Sequence, residues 1–129
     1  MSERYVLGLG ASSAATREDV DALCDAILQE MTIDASALAA LATLDRRTDH
    51  PALLALADRL GLPLTGISPK RLAEAEARLE TPSAVVAARA GLAGIAEAAA
   101  LVLAGDGARL AVSKRMRGGV TMALARAAE

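Results

Sequence analysis

The densest group of chemically competent side chains in the sequence is Asp45-Arg46-Arg47-Thr48-Asp49-His50. A guanidinium pairs two carboxylate oxygens at once, so Arg46 or Arg47 can clamp a carboxylate. Asp45, Asp49 or His50 can move a proton. The plainer account is a solvated loop in which Asp49 caps a helix that has Pro51 in its first turn. That account explains Asp49 but leaves the concentration of charge unexplained. Lys114, Arg115 and Arg117 form a second basic group, beside Gly118-Gly119. They are either the solvated charge of a hairpin or an anion-contacting loop. A third candidate is Gly8-Leu9-Gly10-Ala11-Ser12-Ser13, where an apolar run gives way to small residues and a helix begins. A helix N-terminus directs backbone N–H groups and a dipole at one spot, which attracts anions. Gly8 and Gly10 would let a ligand approach the backbone, and Ser12 and Ser13 add hydroxyl donors. A tight strand-to-helix turn accounts for the same glycines equally well.

Several chemistries are excluded or disfavoured. Ser13 stands where a dinucleotide-binding G-x-G-x-x-G needs its third glycine. Asp45 lies farther from Gly10 than the ~20 residues expected of a ribose-binding acid, so no nicotinamide cofactor is expected. His50 is the only histidine and Cys24 the only cysteine, which rules out a multi-histidine metal site and an internal disulfide. Neither Ser12 nor Ser13 sits in a G-x-S-x-G elbow. The formal net charge is −2 and the chain holds one Tyr and no Trp or Phe. A nucleic-acid partner is therefore not expected, for want of both a positive field and stacking platforms. No apolar stretch is long enough to span a membrane and the N-terminus lacks a signal-peptide pattern, so the expected location is the cytoplasm.

The elements that must position these residues follow from periodicity. Thr16 and Asp19 read as a cap, and Val20, Leu23, Cys24, Ile27, Leu28 and Met31 as the buried face of a first helix. The stretch 37–44 suits either a helix or a buried strand; the alternation of elements around it favours strand. Leu53, Leu54, Leu56, Ala57 and Leu60 form the stripe of a second helix, ended by Gly61. Residues 62–67 read as a third strand, and Ser68-Pro69 opens a helix to about Leu79. Thr81 and Ser83 fall in a linker and cap, with helices over 84–90 and 95–104. Residues 109–113 and 120–125 form a C-terminal hairpin around a glycine-closed loop. At 129 residues with 53% apolar content, one domain covering 1–129 is expected. Its fold class is α/β: a central five-stranded, mostly parallel sheet with a C-terminal antiparallel hairpin, flanked by helices. Ligands bind such sheets outside the carboxyl ends of the parallel strands, where the loops 8–16, 43–50 and 67–69 should meet.

Taken in order, the motifs resemble those of the CobE family of cobalamin biosynthesis proteins, related to the C-terminal domain of CbiG. They are Gly8-Leu9-Gly10-Ala11-Ser12-Ser13, Leu44-Asp45-Arg46-Arg47 through Pro51-Ala52-Leu53, Leu60-Gly61-Leu62-Pro63-Leu64, Thr81-Pro82-Ser83-Ala84-Val85-Val86, Ala93-Gly94-Ile95-Ala96-Glu97 through Leu101, and Gly119-Val120-Thr121-Met122-Ala123-Leu124-Ala125. The resemblance spans essentially the whole chain. It implies a compact α/β domain and a role between the precorrin stage and the corrin ring. CbiG-type proteins open a ring-A lactone and release acetaldehyde, and they carry an additional N-terminal region without a counterpart here. The resemblance therefore implies binding of a polycarboxylate precorrin or corrin tetrapyrrole in the oxygen-dependent route. A hydrolytic or isomerising step on that intermediate is one expectation. The alternative is a non-catalytic carrier or interaction module serving other cobalamin-pathway enzymes. Relatives often carry Cys or Arg where this chain has Ala11-Ser12-Ser13-Ala14-Ala15, which favours binding over catalysis at that loop.

The chemistry suits such a ligand: an apolar ring bearing acetates and propionates. Gly8, Gly10, Ser12 and Ser13, then Arg46 and Arg47, Ser83, and Lys114 with Arg115 are the expected substrate-binding residues. Asp45, Asp49 and His50 are the catalytic candidates, with no metal and no cofactor expected.

Overall fold

The computed structural model describes residues 4–76 and 92–128. The order is β1 (Tyr5–Ala11), α1 (Arg17–Met31), β2 (Leu38–Leu44), α2 (Pro51–Leu60), β3 (Leu64–Ile67), α3 (Pro69–Glu76), α4 (Leu92–Ala104), β4 (Arg109–Arg117) and β5 (Val120–Arg126). The sheet order is β3-β2-β1-β5-β4. β1, β2 and β3 are parallel, whereas β5 runs antiparallel to both β1 and β4. The sheet is thus mixed, two parallel and two antiparallel pairings, rather than mostly parallel. The cause is the tight Gly118-Gly119 turn, which returns the chain between β1 and β4 without a crossover.

Side-chain alternation along the strands divides the core into two layers. On one face Leu7, Leu9, Leu41, Met122 and Leu124 pack with Val20, Cys24 and Ile27 of α1 and Leu53 and Leu56 of α2. On the other, Val6, Ala42, Leu44 and Ile67 meet Leu72 of α3 and Ala98 and Ala99 of α4. Each fully buried Leu contributes ~1.5–3 kcal/mol. Arg59 of α2 also bridges to Asp21 and Asp25 of α1 at 3.0 and 2.6 Å; at the surface such pairs are worth little beyond holding the two helices in register.

The alanine-rich composition of α4 has a structural reason. Ala96, Ala98, Ala99 and Ala100 are fully buried, and a Cβ on Gly8 would collide with the Ala96 carbonyl and lie 2.9 Å from the Ala100 side chain. Small residues on both surfaces let the helix backbone settle on the strand. Gly8 and Gly10 therefore lie inside β1, paired with Ala123 and Thr121, and not in a loop beyond it.

The stretch 38–44 is the strand expected, its pairings with β1 and β3 supplying the buried environment that favours strand over helix. Other differences from the sequence expectations are local. β4 continues through Arg117, so Lys114, Arg115 and Arg117 are strand residues and only Gly118-Gly119 turn. Two register shifts in β4 mark bulges that bend this edge strand. Helix α2 is capped by His50, not Asp49. Pro51 occupies the first helical position, which obliges the residue before it to be the cap. The expected Thr81–Ser83 cap and the helix over 84–90 lie outside the described residues. No described helix is long and apolar enough to cross a membrane.

Candidate functional site

The carboxyl ends of β1, β2 and β3 lie along one edge of the sheet, and the β4–β5 turn reaches the same edge because Ala11 pairs with Val120. Each connecting segment leaves its strand with a defined local structure. After β1, the Ser12 carbonyl accepts from the Ala15 N–H at 3.1 Å, and Thr16 caps α1 by accepting from the Asp19 N–H at 3.1 Å. After β2, residues Asp45–Arg47 form a 3-10 turn, which Thr48 closes by donating its hydroxyl to the Asp45 carbonyl at 2.9 Å. After β3, Ser68 caps α3 through its hydroxyl, which accepts from the Arg71 N–H at 3.3 Å.

These segments are bonded to one another. The Ser12 N–H donates to the Gly119 carbonyl at 2.9 Å, and Ser12 Oγ occupies the space that a Cβ on Gly119 would need. His50 Nε2 lies 2.8 Å from the Ser12 carbonyl oxygen, and His50 Nδ1 accepts from the Ala52 N–H at 3.1 Å. With Nδ1 accepting, the hydrogen belongs on Nε2, which donates to Ser12. The ring is buried, and both nitrogens are occupied. Behind the 3-10 turn, a Cβ on Gly66 would stand 2.8 Å from Asp45 Cα and 3.0 Å from Thr48 Cγ2. The missing side chain in β3 is what lets the turn lie down on the strand.

The candidate residues separate accordingly. Ser12, Ser13, Asp45, Arg46, Arg47, Asp49 and His50 share the carboxyl-end rim. Among them Ser13, Asp45, Arg46 and Asp49 are exposed and Ser12 and Arg47 half-buried. Among the described residues Arg46 and Arg47 make no ion pair. Gly8 lies under α4 and away from solvent. Arg115 is committed elsewhere: it donates to Glu30 at 2.9 Å and to the Ser113 carbonyl at 2.9 Å. Arg117, likewise, donates to Asp19 at 3.0 Å. Lys114 sits on β4, its backbone N–H donating to the buried carboxylate of Glu97 at 3.2 Å. Ser83 lies outside the described residues.

The sequence reading gave Gly66, Gly119 and Glu97 no part in the site. A lone glycine inside a strand, as at Gly66, does signal close backbone approach. Glu97 had a signal too, as the one acid on an otherwise apolar helix. Cys24 is buried on the inner face of α1, its thiol pushed up to about 11, chiefly by burial and secondarily by Asp25. That environment makes it an inert core residue.

Known proteins share this architecture. The cobalamin synthesis G C-terminus family matches residues 5–125. Protein CobE of a Sinorhizobium species is 38% identical over 120 residues, covering 93% of this chain and 78% of that protein. The crystal structure of CobE from the cobalamin (vitamin B12) biosynthetic pathway superposes with a TM-score of 0.83 at 36% identity, over 99% of this chain and 93% of that one. The cobalamin biosynthesis protein chiG of Agrobacterium tumefaciens gives 0.75 at 29% identity, over 97% and 99% of the two chains. A cobalamin biosynthesis protein G homolog from Sulfolobus solfataricus shares the fold at 16% identity, this chain spanning 37% of its length. The chain belongs to the cobalamin synthesis G C-terminal family and is a cobalamin biosynthesis protein of the CobE type.

Proposed function

We propose that the carboxyl-end rim binds a polycarboxylate precorrin or corrin intermediate of the oxygen-dependent route. The observation that carries this reading is the pair Arg46 and Arg47. Both stand on a turn seated against Gly66, without a carboxylate partner among the described residues, beside a loop fixed by Ser12 and His50. Guanidinium forks matched to acetate and propionate groups are the interaction such a ligand offers. A rim held rigid before binding loses little freedom when the ligand arrives.

A carrier that hands the intermediate to another pathway enzyme is the second reading, and one observation favours it. The ring nitrogens of His50 are both engaged, so a proton-transfer step would fall to the exposed carboxylates Asp45 or Asp49. A hydrolytic or isomerising activity would rest on those two acids.

Absorbance titration with hydrogenobyrinic acid tests the binding reading. Replacing both Arg46 and Arg47 by Ala should weaken binding by about 10–100-fold, the loss of charge-assisted hydrogen bonds worth ~1.5–3 kcal/mol. Unchanged affinity would remove the clamp. Mass analysis of the recovered ligand separates the two readings, since a carrier returns it unaltered.

A further inference from the structure

The imidazole of His50 joins three backbone segments through its own atoms and those of Ser12. Its Nδ1 accepts from the Ala52 N–H at 3.1 Å, satisfying the start of α2. Its Nε2 meets the Ser12 carbonyl at 2.8 Å. That same carbonyl accepts from the Ala15 N–H at 3.1 Å and so shapes the β1–α1 loop, while the Ser12 N–H is fastened to Gly119 at 2.9 Å. The His50 backbone N–H in turn donates to the Arg47 carbonyl at 3.0 Å, so the arginine-bearing turn hangs from the same residue.

We propose that His50 is a proton-sensitive latch, which holds the β1–α1 loop and the Arg46-Arg47 turn in their ligand-binding arrangement only while its ring is neutral. This rests on the reading of the rim as a corrinoid-binding site. The neutral ring provides one acceptor and one donor, and the rim uses one of each. A proton added to Nδ1 turns the acceptor into a donor facing the Ala52 N–H. Two donors then oppose each other in a buried place, and the ring must leave the cap. The Ser12 carbonyl loses one of its two donors with it and keeps only the Ala15 N–H.

The charged side chains on the neighbouring segments are Asp45, Arg46, Arg47 and Asp49, Arg17, Glu18 and Asp19 at the start of α1, and Arg117 before the β4–β5 turn. Among the described residues none of them hydrogen-bonds to the ring, and Asp19 and Arg117 are paired with each other. Nothing in that list replaces the Ala52 N–H as the group that Nδ1 serves. The latch therefore responds to the protonation of one ring.

Nitrogen NMR of the tag-free protein reads the latch directly, because His50 is the only histidine. At pH 7.5 the ring should show a bare Nδ1 and a protonated Nε2. As acid protonates the ring, the amides of Ser12, Ala15 and Ala52 should move in the same titration. In parallel, H50N tests the tie to Ser12, because Asn caps a helix well but is too short to cap and reach Ser12 together. H50N should keep a near-native unfolding midpoint, bind hydrogenobyrinic acid about tenfold more weakly at pH 7.5, and lack the change in affinity that ring protonation brings about in the wild type. Wild-type affinity should fall toward that of H50N as the ring is protonated. A proton on Nδ1 at pH 7.5, loop amides that ignore the ring's titration, or wild-type affinity in H50N would each overturn the latch. Failure of every variant to bind the corrinoid would reject the rim as its site, while the ring tautomer and loop amides would still decide the latch without ligand.

Discussion

At the scale of single residues, the molecule distinguishes groups that look alike in the sequence by what each is already bonded to. Arg46 and Arg115 are both arginines beside a turn, yet Arg115 is spent on Glu30 and the Ser113 carbonyl while Arg46 stands exposed on the rim. Cys24 and His50 are both lone representatives of reactive types, and both are buried. For Cys24 burial raises the thiol to about 11 from an unfolded value near 9. The folded state thus holds its proton more tightly than the unfolded chain does. Stability from this group is intact below pH 9 and is lost as pH climbs from 9 toward 11. Urea unfolding of wild type against C24A should show an alkaline loss in that window that the variant lacks, and the wild-type thiol should react with a disulfide reagent only as fast as the protein opens. Rapid modification of the folded protein at pH 8 would contradict the burial argument.

At the scale of elements, close approach between backbones sets the geometry. Gly8 admits α4 to the sheet, and Gly66 admits the 3-10 turn to β3. A methyl on Gly66 would press on the Asp45 backbone, which cannot swing away as a flexible side-chain end would. G66A should therefore cost ~1–3 kcal/mol in urea unfolding and should weaken corrinoid binding by moving Arg46 and Arg47. Native affinity in G66A would show that the seat of the turn is irrelevant to the ligand. Most elements were legible from periodicity: the stripe Val20, Leu23, Cys24, Ile27 and the caps at Thr16 and Ser68 all stand where the spacing put them. Gly8-x-Gly10 misled because a glycine that receives a helix and a glycine that frees a loop look the same in one dimension. Lys114 to Arg117 misled because charge on an edge strand resembles charge in a loop. Asp49 is the stronger capping type, but Pro51 at the first helical position passes the role to His50.

At the scale of the whole molecule, the mixed sheet brings four connections to one edge, the turn between β4 and β5 among them. The parallel half β3-β2-β1 was enough to expect the loops 8–16, 43–50 and 67–69 at one edge from topology alone. The bonds that weld them (Gly119 to Ser12, Ser12 to His50, Gly66 beneath Asp45) join residues far apart in the chain, and no local pattern announces them. Family membership fits this division: the motifs that carry the resemblance include Ser12, Asp45 to Arg47 and Gly119, which the fold gathers at the rim. On the proposed reading this rim, and no other surface, receives the polycarboxylate ligand. The most direct measurement is backbone amide NMR of the labelled protein titrated with hydrogenobyrinic acid. Shifts should concentrate in residues 12–16, 45–50, 66–69 and 118–119. Shifts centred instead on the open cavity of about 440 Å³ between α3 and α4, lined by Arg71, Glu74, Val102, Gly105 and Asp106, or no shifts at saturating ligand, would contradict it.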